Sequence, residues 1–560
     1  MAEKIGGKTM SRKNSQDNDP PEKKFETISG LPLKEIYWPE DLPPGFSPKE
    51  DLGQAGRPPY VRGAYPGMYR NQPWRIFMLT GAGSIGQARD RVAYAVSQGG
   101  SGFICETDMS TWLMMNVDHP EVLARKQDVG WYGAPVQSLD DYRDYWGRLP
   151  IGEMYCHLGA VLPQMTPYFM SCFFTLLEER KVPLAKVNST GQGDFFITYI
   201  SILSPYLVPP QAGLKLNCDA VEYAVQHAPR LTPVSIAGNN IRECGANAYQ
   251  EMAAILACAV AYIEEILNRG NLKIDEFASA VGGVNLSTGS DFFEDIAKFR
   301  AMRRMWYKLL KRYGAEDPRS LRLRIHGLPL GSIYTFQQPL NNIVRGTYTV
   351  LAAILGGAQS IGTPSFDEAI CTPTKLAHTT AMRTQQILME ESNVASVIDP
   401  LGGSYFIEAL TDQVEAKAWE FFDRIAAQGG FIKALDSGWL QTEVAREAAE
   451  AVRKIEKGER RIVGVNCYEM EEEPYEFEPF RPDPNTWRLA MESLERVRRD
   501  RDNVRAEKAK TDLVRALEKG ENTMTATIEA AKALVTVGEI GDLYRDFFGR
   551  WSVPSLPGLG

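Results

Sequence analysis

Residues 234–269 read VSIAGNNIRECGANAYQEMAAILACAVAYIEEILNR, and this stretch indicates the fold class. It begins with an apolar, β-like run at 234–237, which opens through Gly238 onto two adjacent asparagines. The helix that follows carries apolar residues at helical spacing. A short apolar strand followed by an amphipathic helix is the βα unit from which parallel sheets are built.

The same alternation extends from about residue 74 to residue 405. Short apolar or β-branched runs predict strands at 75–80, 102–106, 153–157, 185–189, 234–237, 321–326 and 358–361. Helical patterns lie between them, such as DFFEDIAKFRAMRRMWYKLLKRYG at 291–314. Alternation over about 330 residues favours an α/β (β/α)8 TIM barrel over an open sheet. Because only these seven strands are recognisable, the eighth is assumed.

Composition divides the rest of the chain. Residues 1–30 form a polar tail that is expected to be disordered, and residues 31–73, rich in Pro, Gly and Tyr, fit an extended N-terminal arm. The barrel is assigned to 74–409 and a helical C-terminal region to 410–560. Within that region the acidic segment EMEEEPYEFEPF at 469–480 is interpreted as a linker.

The charge and cysteine content exclude several function classes. A net charge of -9 argues against a nucleic-acid partner, because phosphate neutralisation requires an excess of Lys and Arg. The eight cysteines are scattered without a CxxC pair, which is typical of reduced thiols in a cytoplasmic protein and predicts no metal site. No apolar run approaches about 18 residues, so no membrane span is expected.

In a TIM barrel the chemistry lies at the C-terminal ends of the strands. The candidate side chains there are mostly uncharged, and only one, His326, titrates near neutrality without perturbation. The set comprises Leu79, Thr80, Gly81, Glu106, Thr107, Asp108, Gln192, Asn239, Asn240, His326, Gln359 and Ser360. This mouth is therefore poor in general acids and bases.

Several ordered motifs resemble one family. They include YPGMYRNQPW (65–74), SDFFEDIAKFRAMRRMW (290–306), LGGAQSIGTPSFDEA (355–369), VIDPLGGSYFIEALT (397–411) and IVGVNCY (462–468). Together they resemble the large, acyl-CoA-binding subunit of the methylmalonyl-CoA mutase family, over roughly residues 55–550.

The resemblance implies a radical rearrangement of the carbon skeleton of a CoA thioester, with adenosylcobalamin held between the barrel and a cobalamin-binding domain. The DxHxxG signature of that domain is absent from this sequence. The chain therefore resembles the split 2-hydroxyisobutyryl-CoA and isobutyryl-CoA mutases, in which a small subunit brings the cofactor. A small cobalamin-binding subunit is the expected partner, with a homodimer inside a hetero-oligomer.

The resemblance also implies roles for individual residues. Glu243 and Glu368 match carboxylates that bind the adenosyl ribose, and Gly81 matches a glycine that lets the adenosyl group approach. Leu79 stands where relatives place a side chain against the corrin.

Substrate contacts follow in the same way. Gln192 matches a glutamine near the thioester, and Asn240 replaces a histidine that hydrogen-bonds the thioester oxygen. His326 and Arg324 match a pair near the substrate carbonyl and the pocket floor. The positions along the expected CoA channel are Tyr65, Met68, Gln359 and Ser360, and Arg75 is a candidate substitute for missing phosphate-binding arginines.

Two further positions bear on the acyl group. Leu203, or Ile202 in another placement of a one-residue insertion, stands where methylmalonyl-CoA mutase holds its substrate carboxylate with arginine. An unpartnered buried carboxylate costs several kcal/mol, so a dicarboxylic substrate is not expected. Glu106 either contacts a polar acyl group or pairs with a neighbouring arginine.

Alternatives remain open at this point. Asn239 and Asn240 could cap the following helix, and GAGSIG at 81–86 matches a dinucleotide fingerprint that is weak on its own. The changed pocket also fits a non-catalytic or regulatory mutase paralogue that binds CoA esters or a mutase partner. An unrelated barrel lyase is the third hypothesis.

Overall fold

The computed structural model describes residues 25–471 and 478–556, which contain seven parallel strands in one curled sheet. The order across the sheet is β3-β2-β1-β7-β6-β5-β4. The strands are β1 (Arg75–Met78), β2 (Gly102–Ile104), β3 (Tyr155–His157), β4 (Ile236–Ala237), β5 (Gly283–Thr288), β6 (Arg324–Pro329) and β7 (Ser360–Ile361).

An irregular segment around Thr190 closes the sheet between β3 and β4. Thr190 donates its N–H to Cys156 and accepts from Leu158, while Gly191 and Thr232 continue the ladder on the other side. Eight parallel segments therefore form a TIM-like barrel, which confirms the predicted fold class.

One predicted strand was wrong and one observed strand was not predicted. Residues 185–189 are not a strand, because a 3-10 turn, Leu184–Lys186, leaves only the stretch around Thr190 for pairing. The sequence pattern also failed to indicate β5, which pairs with β6 along the full length of both strands. Counting β5 and the Thr190 segment gives the eight units that the length had suggested.

A helix follows each of the eight segments and covers the outside of the barrel. In chain order these are Ile85–Ser97, Leu139–Trp146, Thr166–Glu179, Pro210–His227, Ala248–Arg269, Phe292–Arg312, Asn341–Leu355 and Lys375–Glu390. Shorter helices are Met68–Asn71, Met109–Trp112, Pro120–Leu123, Gly238–Glu243, Ile274–Val281 and Pro318–Leu321.

The helix Ala248–Arg269 illustrates how local sequence sets the boundaries. Asn247 caps its N-terminus in a reciprocal capping box with Gln250, and Gly270 ends it at a φ of 74°. None of the helices in the described part of the chain combines the length and apolar character that a membrane span requires.

The barrel axis is hollow. Along β6 the outward residues are buried: a Cβ on Gly327 would lie 2.8 Å from Ala353 of the covering helix. The inward residues Arg324, His326 and Leu328 are only half-buried. Most TIM barrels fill this space with layers of branched side chains, so partial exposure of the inward set marks an axial channel.

A buried arginine of the barrel holds part of the N-terminal arm. Arg303 donates hydrogen bonds to the backbone oxygens of Tyr60, Val61 and Gly356 at 2.7–2.9 Å. Residues 1–24 of the expected tail lie outside the described residues. Its last part is ordered, since Ile28 and Ser29 bond to Asp291 and Glu294.

The C-terminal region is helical. Its helices are Tyr405–Ala427, Phe431–Asp436, Trp439–Glu456, Thr486–Asp500, Asn503–Glu518, Met524–Lys532 and Val537–Phe548. The first contains the boundary expected at 409/410 and packs on the barrel through ion pairs of Arg300 with Glu408 and of Arg304 with Glu415. Part of the expected acidic linker, 472–477, lies outside the described residues.

Candidate functional site

The sequence-predicted residues separate along the axial channel. The C-terminal ends of the strands form what we term the mouth, and their N-terminal ends form the base. Gly81, Glu106, Gln192, Asn240, Glu243 and Glu368 belong to segments that follow strands and therefore lie at the mouth. Arg75 and Arg324 begin β1 and β6 and lie at the base. His326 and Ser360 lie between these ends.

Two carboxylates converge at the mouth on the turn Gly331–Ile333. Glu243 accepts hydrogen bonds from the backbone N–H groups of Gly331, at 2.6 Å, and Ser332, at 3.1 Å. On the other side of the turn, Glu368 Oε1 lies 3.2 Å from the position that a Cβ on Gly331 would take. Each oxygen of Glu243 keeps a second lone pair for a further donor.

Glu368 is reached by solvent but is crowded by the mouth loops. This desolvation, together with the charges of Glu243 and Asp367, raises its pKa to about 7. Neighbouring carboxylates resist simultaneous ionisation. A hydroxyl-bearing ligand that donates to both groups would relieve the repulsion.

Glu106 lies at the mouth, and no described residue forms an ion pair with it. Its Oε2 is buried and has no hydrogen-bond partner within the described residues. Burial raises its pKa to about 8, so the group is mainly a neutral carboxylic acid at pH 7 and can donate a hydrogen bond. The alternative of an arginine partner is therefore wrong for this structure.

Gly81 is required by packing in the barrel itself. Its φ is 109°, and a Cβ would lie 2.1 Å from the hydroxyl of Tyr145. Leu79, two residues earlier, is 59% exposed. A single exposed leucine is ordinary, but at the rim of a channel it offers an apolar contact to a large ligand or partner.

The first residues after Gly81 argue against the dinucleotide interpretation. In that fingerprint the third glycine serves close packing between helix and strand. A Cβ on Gly86 would meet nothing nearer than 3.9 Å, so the position has room for a side chain.

Gln192 and Asn240 meet on a buried carboxylate. Asp194 Oδ2 accepts hydrogen bonds from Gln192 Nε2, at 3.2 Å, and from Asn240 Nδ2. Asn240 Oδ1 accepts from Asn239 Nδ2 at 3.0 Å. The helix-capping alternative for the two asparagines is wrong: both lie within Gly238–Glu243, and Asn247 caps the next helix.

His326 lies inside the channel as a neutral imidazole. Its Nδ1 is 2.9 Å from Ser360 Oγ, and its ring stands edge-on to Phe77 at 5.6 Å. Burial lowers its pKa to about 4. A neutral imidazole polarises a carbonyl by donating a hydrogen bond, without bringing a charge.

His157 is a channel residue that the sequence analysis did not include among the site candidates. Burial and the proximity of His326 lower its pKa to about 4, and its Nδ1 accepts from the Gly159 N–H. A polar residue at the end of a strand was the available signal. The missed β5 likewise carries the inward Asn285, and its alternation of apolar and polar residues could have identified it.

The base of the channel is cationic. The guanidinium of Arg75 lies 5.0 Å from the ring centroid of Tyr155, and that of Arg322 lies 4.7 Å from the ring of Tyr65. Arg324 donates to the backbone oxygen of Ser279. None of these arginines is in an ion pair within the described ranges, so their charges are available to an anionic ligand.

Three predicted substrate residues do not line the centre of the channel. The Gln359 side chain is engaged by the backbone of Ile325 and Gly357. Met68 is buried in the arm, under Gly63. Leu203 ends the segment Ile197–Ile202, which packs on the mouth helix Gly238–Glu243, and has a φ of 48°.

Several known proteins are similar in sequence to this chain. The family described as methylmalonyl-CoA mutase matches residues 26–550. The 2-hydroxyisobutanoyl-CoA mutase large subunit of Aquincola tertiaricarbonis is 34% identical over 535 residues, which cover 95% of this chain and 93% of that protein. The methylmalonyl-CoA mutases of Cereibacter sphaeroides and Escherichia coli are 32% and 34% identical; the matches cover 97% and 95% of this chain and 75% and 73% of those proteins.

Proposed function

The chain belongs to the methylmalonyl-CoA mutase family, and from that premise we propose that it is the large subunit of an adenosylcobalamin-dependent acyl-CoA mutase. Its relatives are isomerases, and the chain is an isomerase of the same family. The proposed reaction is a 1,2-rearrangement of the carbon skeleton of a CoA thioester that is not dicarboxylic.

One observation carries the proposal: the hollow axis joins a cationic base to a mouth that bears two adjacent carboxylates. A CoA thioester is a long ligand with phosphates at one end and an uncharged acyl group at the other. With Arg75 and Arg324 at the base, the phosphates would bind there and the thioester would lie near His326. The acyl group would then reach the mouth.

The mouth residues fit adenosylcobalamin. Glu243 and Glu368 can accept hydrogen bonds from the ribose hydroxyls, and the exposed Leu79 offers an apolar contact. When bound, this cofactor supplies the radical that removes a substrate hydrogen atom. The protein's own task is to orient the thioester, exclude water and hold the cofactor.

Glu106 and Leu203 support the proposed acyl class. A neutral carboxylic acid at Glu106 donates to a hydroxyl or carbonyl oxygen on the acyl group. The family resemblance aligns Leu203, or Ile202, with the position where a dicarboxylic ester would require a cation. In the structure this segment packs on the mouth helix Gly238–Glu243. A polar but uncharged acyl group, such as a hydroxylated one, satisfies both conditions.

The relative named as a large subunit supports a second chain that brings the cofactor. We propose a small cobalamin-binding subunit as that partner and a homodimer within the hetero-oligomer. The competing proposal is a non-catalytic paralogue that binds CoA esters or a mutase partner. It is favoured by Asn240, whose amide is already bonded to Asp194 and Asn239.

Electron paramagnetic resonance on the chain reconstituted with a small cobalamin-binding subunit and adenosylcobalamin separates the two proposals. A panel of CoA esters is added, and a cobalt(II)-radical pair with any ester supports the mutase. Its absence with every ester, while the esters still bind by calorimetry, supports the paralogue.

A matched pair of variants tests the role of the mouth carboxylate. Glu243→Gln is expected to weaken adenosylcobalamin binding by about tenfold, from the loss of one charge-assisted hydrogen bond. Glu276→Gln is the control, because Glu276 is also exposed and accepts a backbone N–H, from Lys273, at 2.7 Å, away from the mouth. Equal affinities for the two variants would contradict the assignment.

Truncated ligands test the direction in which the thioester lies. Arg75→Gln is expected to weaken the binding of an acyl-CoA by about tenfold and to leave the corresponding acyl-pantetheine unaffected. Arg319→Gln is the control, since Arg319 pairs with Asp317 on the surface. Equal losses for both ligands would contradict phosphate binding at the base.

A further inference from the structure

Asp194 is a buried acid at the mouth whose partners are amides. Asp194 is only 2% exposed to solvent. The hydrogen bonds that stabilise its charge come from the side chains of Gln192 and Asn240 and from the backbone of Phe196 and Ile197. We use the name amide lock for Asp194 with Gln192 and Asn240.

An ionised carboxylate only accepts hydrogen bonds. Both amides of the lock must therefore turn their NH2 groups toward Asp194, and neither can present its oxygen there. Each NH2 group has two hydrogens and gives one to Asp194. The second N–H of each amide keeps a fixed direction for another acceptor.

The two amides come from neighbouring parts of the barrel mouth. Gln192 follows the segment at Thr190 that closes the sheet, and Asn240 lies in the helix that begins directly after β4. Thr190 is paired with both β3 and the residue Thr232 that precedes β4. The lock therefore joins adjacent loops at the mouth of the barrel.

From this geometry we propose that Asp194 is a positioning residue that aims the second N–H of Gln192 and of Asn240 at the thioester carbonyl oxygen. The inference rests on the proposed function, since it needs a CoA thioester in the channel. Two preorganised donors at one carbonyl oxygen polarise and weaken the C=O bond and restrict the orientation of the carbonyl group.

The energetic cost of the carboxylate agrees with this role. Burial raises the pKa of Asp194 to about 6, so ionisation of the group is disfavoured where it lies. Its bond with the Phe196 N–H, at 2.8 Å, needs only one oxygen. An asparagine would keep that bond at lower cost, so the second oxygen is the part that orients the amides.

Asp194→Asn is the corresponding test. The variant keeps Oδ1 for Phe196 but turns an NH2 group toward Gln192 and Asn240, and one of those amides must then flip. The infrared carbonyl stretch of an acyl-CoA labelled with carbon-13 at the thioester is measured while it is bound to the chain alone. In the wild type the stretch moves to lower wavenumber than in free ester, and the variant is expected to lose more than about half of that shift.

Asp141→Asn is the matched control. Asp141 is also buried, its pKa is also raised to about 6 by burial, and it accepts from Gln137 and Ser493 away from the channel. This control is expected to retain the full carbonyl shift. Asp194→Ser is a second variant in case the amide variant does not fold, because serine can still accept from the Phe196 N–H.

The outcomes distinguish the inference from the proposed function. Acyl-CoA binding with an undiminished carbonyl shift in Asp194→Asn and Asp194→Ser overturns the inference and leaves the proposed function standing. Failure of the wild-type chain to bind any CoA thioester overturns both. A shift lost in the Asp194 variants and kept in Asp141→Asn supports the amide lock.

Discussion

Replacing Glu106 with glutamine is expected to stabilise the protein, and to do so more strongly as the pH rises. The folded-state pKa of Glu106 is raised from 4.5 to about 8 by burial. Its contribution to stability is therefore complete below pH 4.5 and is lost as the pH rises through 8. Glutamine has no charge to bury and escapes this loss.

The size of the effect follows from the shift. At about 1.4 kcal/mol for each pH unit, the wild type loses about 1.4 kcal/mol by about pH 5.5 and about 5 kcal/mol by about pH 9. With an unfolding entropy of about 2.1 cal/mol/K per residue, 560 residues give about 1.2 kcal/mol/K. The gain in Tm from Glu106→Gln should therefore grow by about 3 °C between these two pH values.

Differential scanning calorimetry at both pH values measures this difference. Glu539→Gln is the control. Burial alone would raise the pKa of Glu539, but hydrogen bonds from Arg501 and Thr536, together with the charge of Arg501, outweigh burial and hold that pKa at about 2. Its stabilising effect is present above pH 4.5 and is lost only as the pH falls through 2, so its Tm difference should not change over this range. A Glu106→Gln gain that is equal at both pH values would refute a buried, unpaired carboxyl.

Three further substitutions test other parts of the structure. Gly81→Ala should lower the free energy of unfolding, measured in urea, by about 2 kcal/mol or more, because the new Cβ would collide with the Tyr145 hydroxyl. Adding Tyr145→Phe should restore part of that stability, and a double variant with no restored stability would exclude the contact. Arg303→Met should lower the free energy of unfolding by about 3 kcal/mol, because three hydrogen bonds are lost, and should increase amide hydrogen exchange at residues 60–63. Unchanged exchange would show that Arg303 does not hold the arm against the barrel. Leu203→Arg should improve calorimetric affinity for a dicarboxylic acyl-CoA about tenfold relative to a monocarboxylic one, and an unchanged ratio would show that this position does not face the acyl group.

The channel geometry could be predicted only in part. The resemblance placed Arg324 near the pocket floor and Glu243 and Glu368 beside the cofactor. In the structure Arg324 lies at the base of the channel, and Glu243 and Glu368 lie at the mouth. It did not indicate that the side chain of Gln359 serves backbone groups. A motif records which residue type recurs, while the partner of its amide depends on neighbouring chain segments.

The sequence by itself determined the class of fold and the family, because the alternation of apolar runs with amphipathic helices and the ordered motifs are local patterns. The tertiary structure decided how the barrel closes at Thr190, that β5 belongs to it and that its axis is hollow. It also decided that Asp194 holds Gln192 and Asn240 together and that Glu106 Oε2 is buried without a hydrogen-bond partner among the residues the structure describes. These features arise from contacts between residues distant in sequence, and burial, which sets the pKa of Glu106 and of Asp194, exists only once the chain has folded around them.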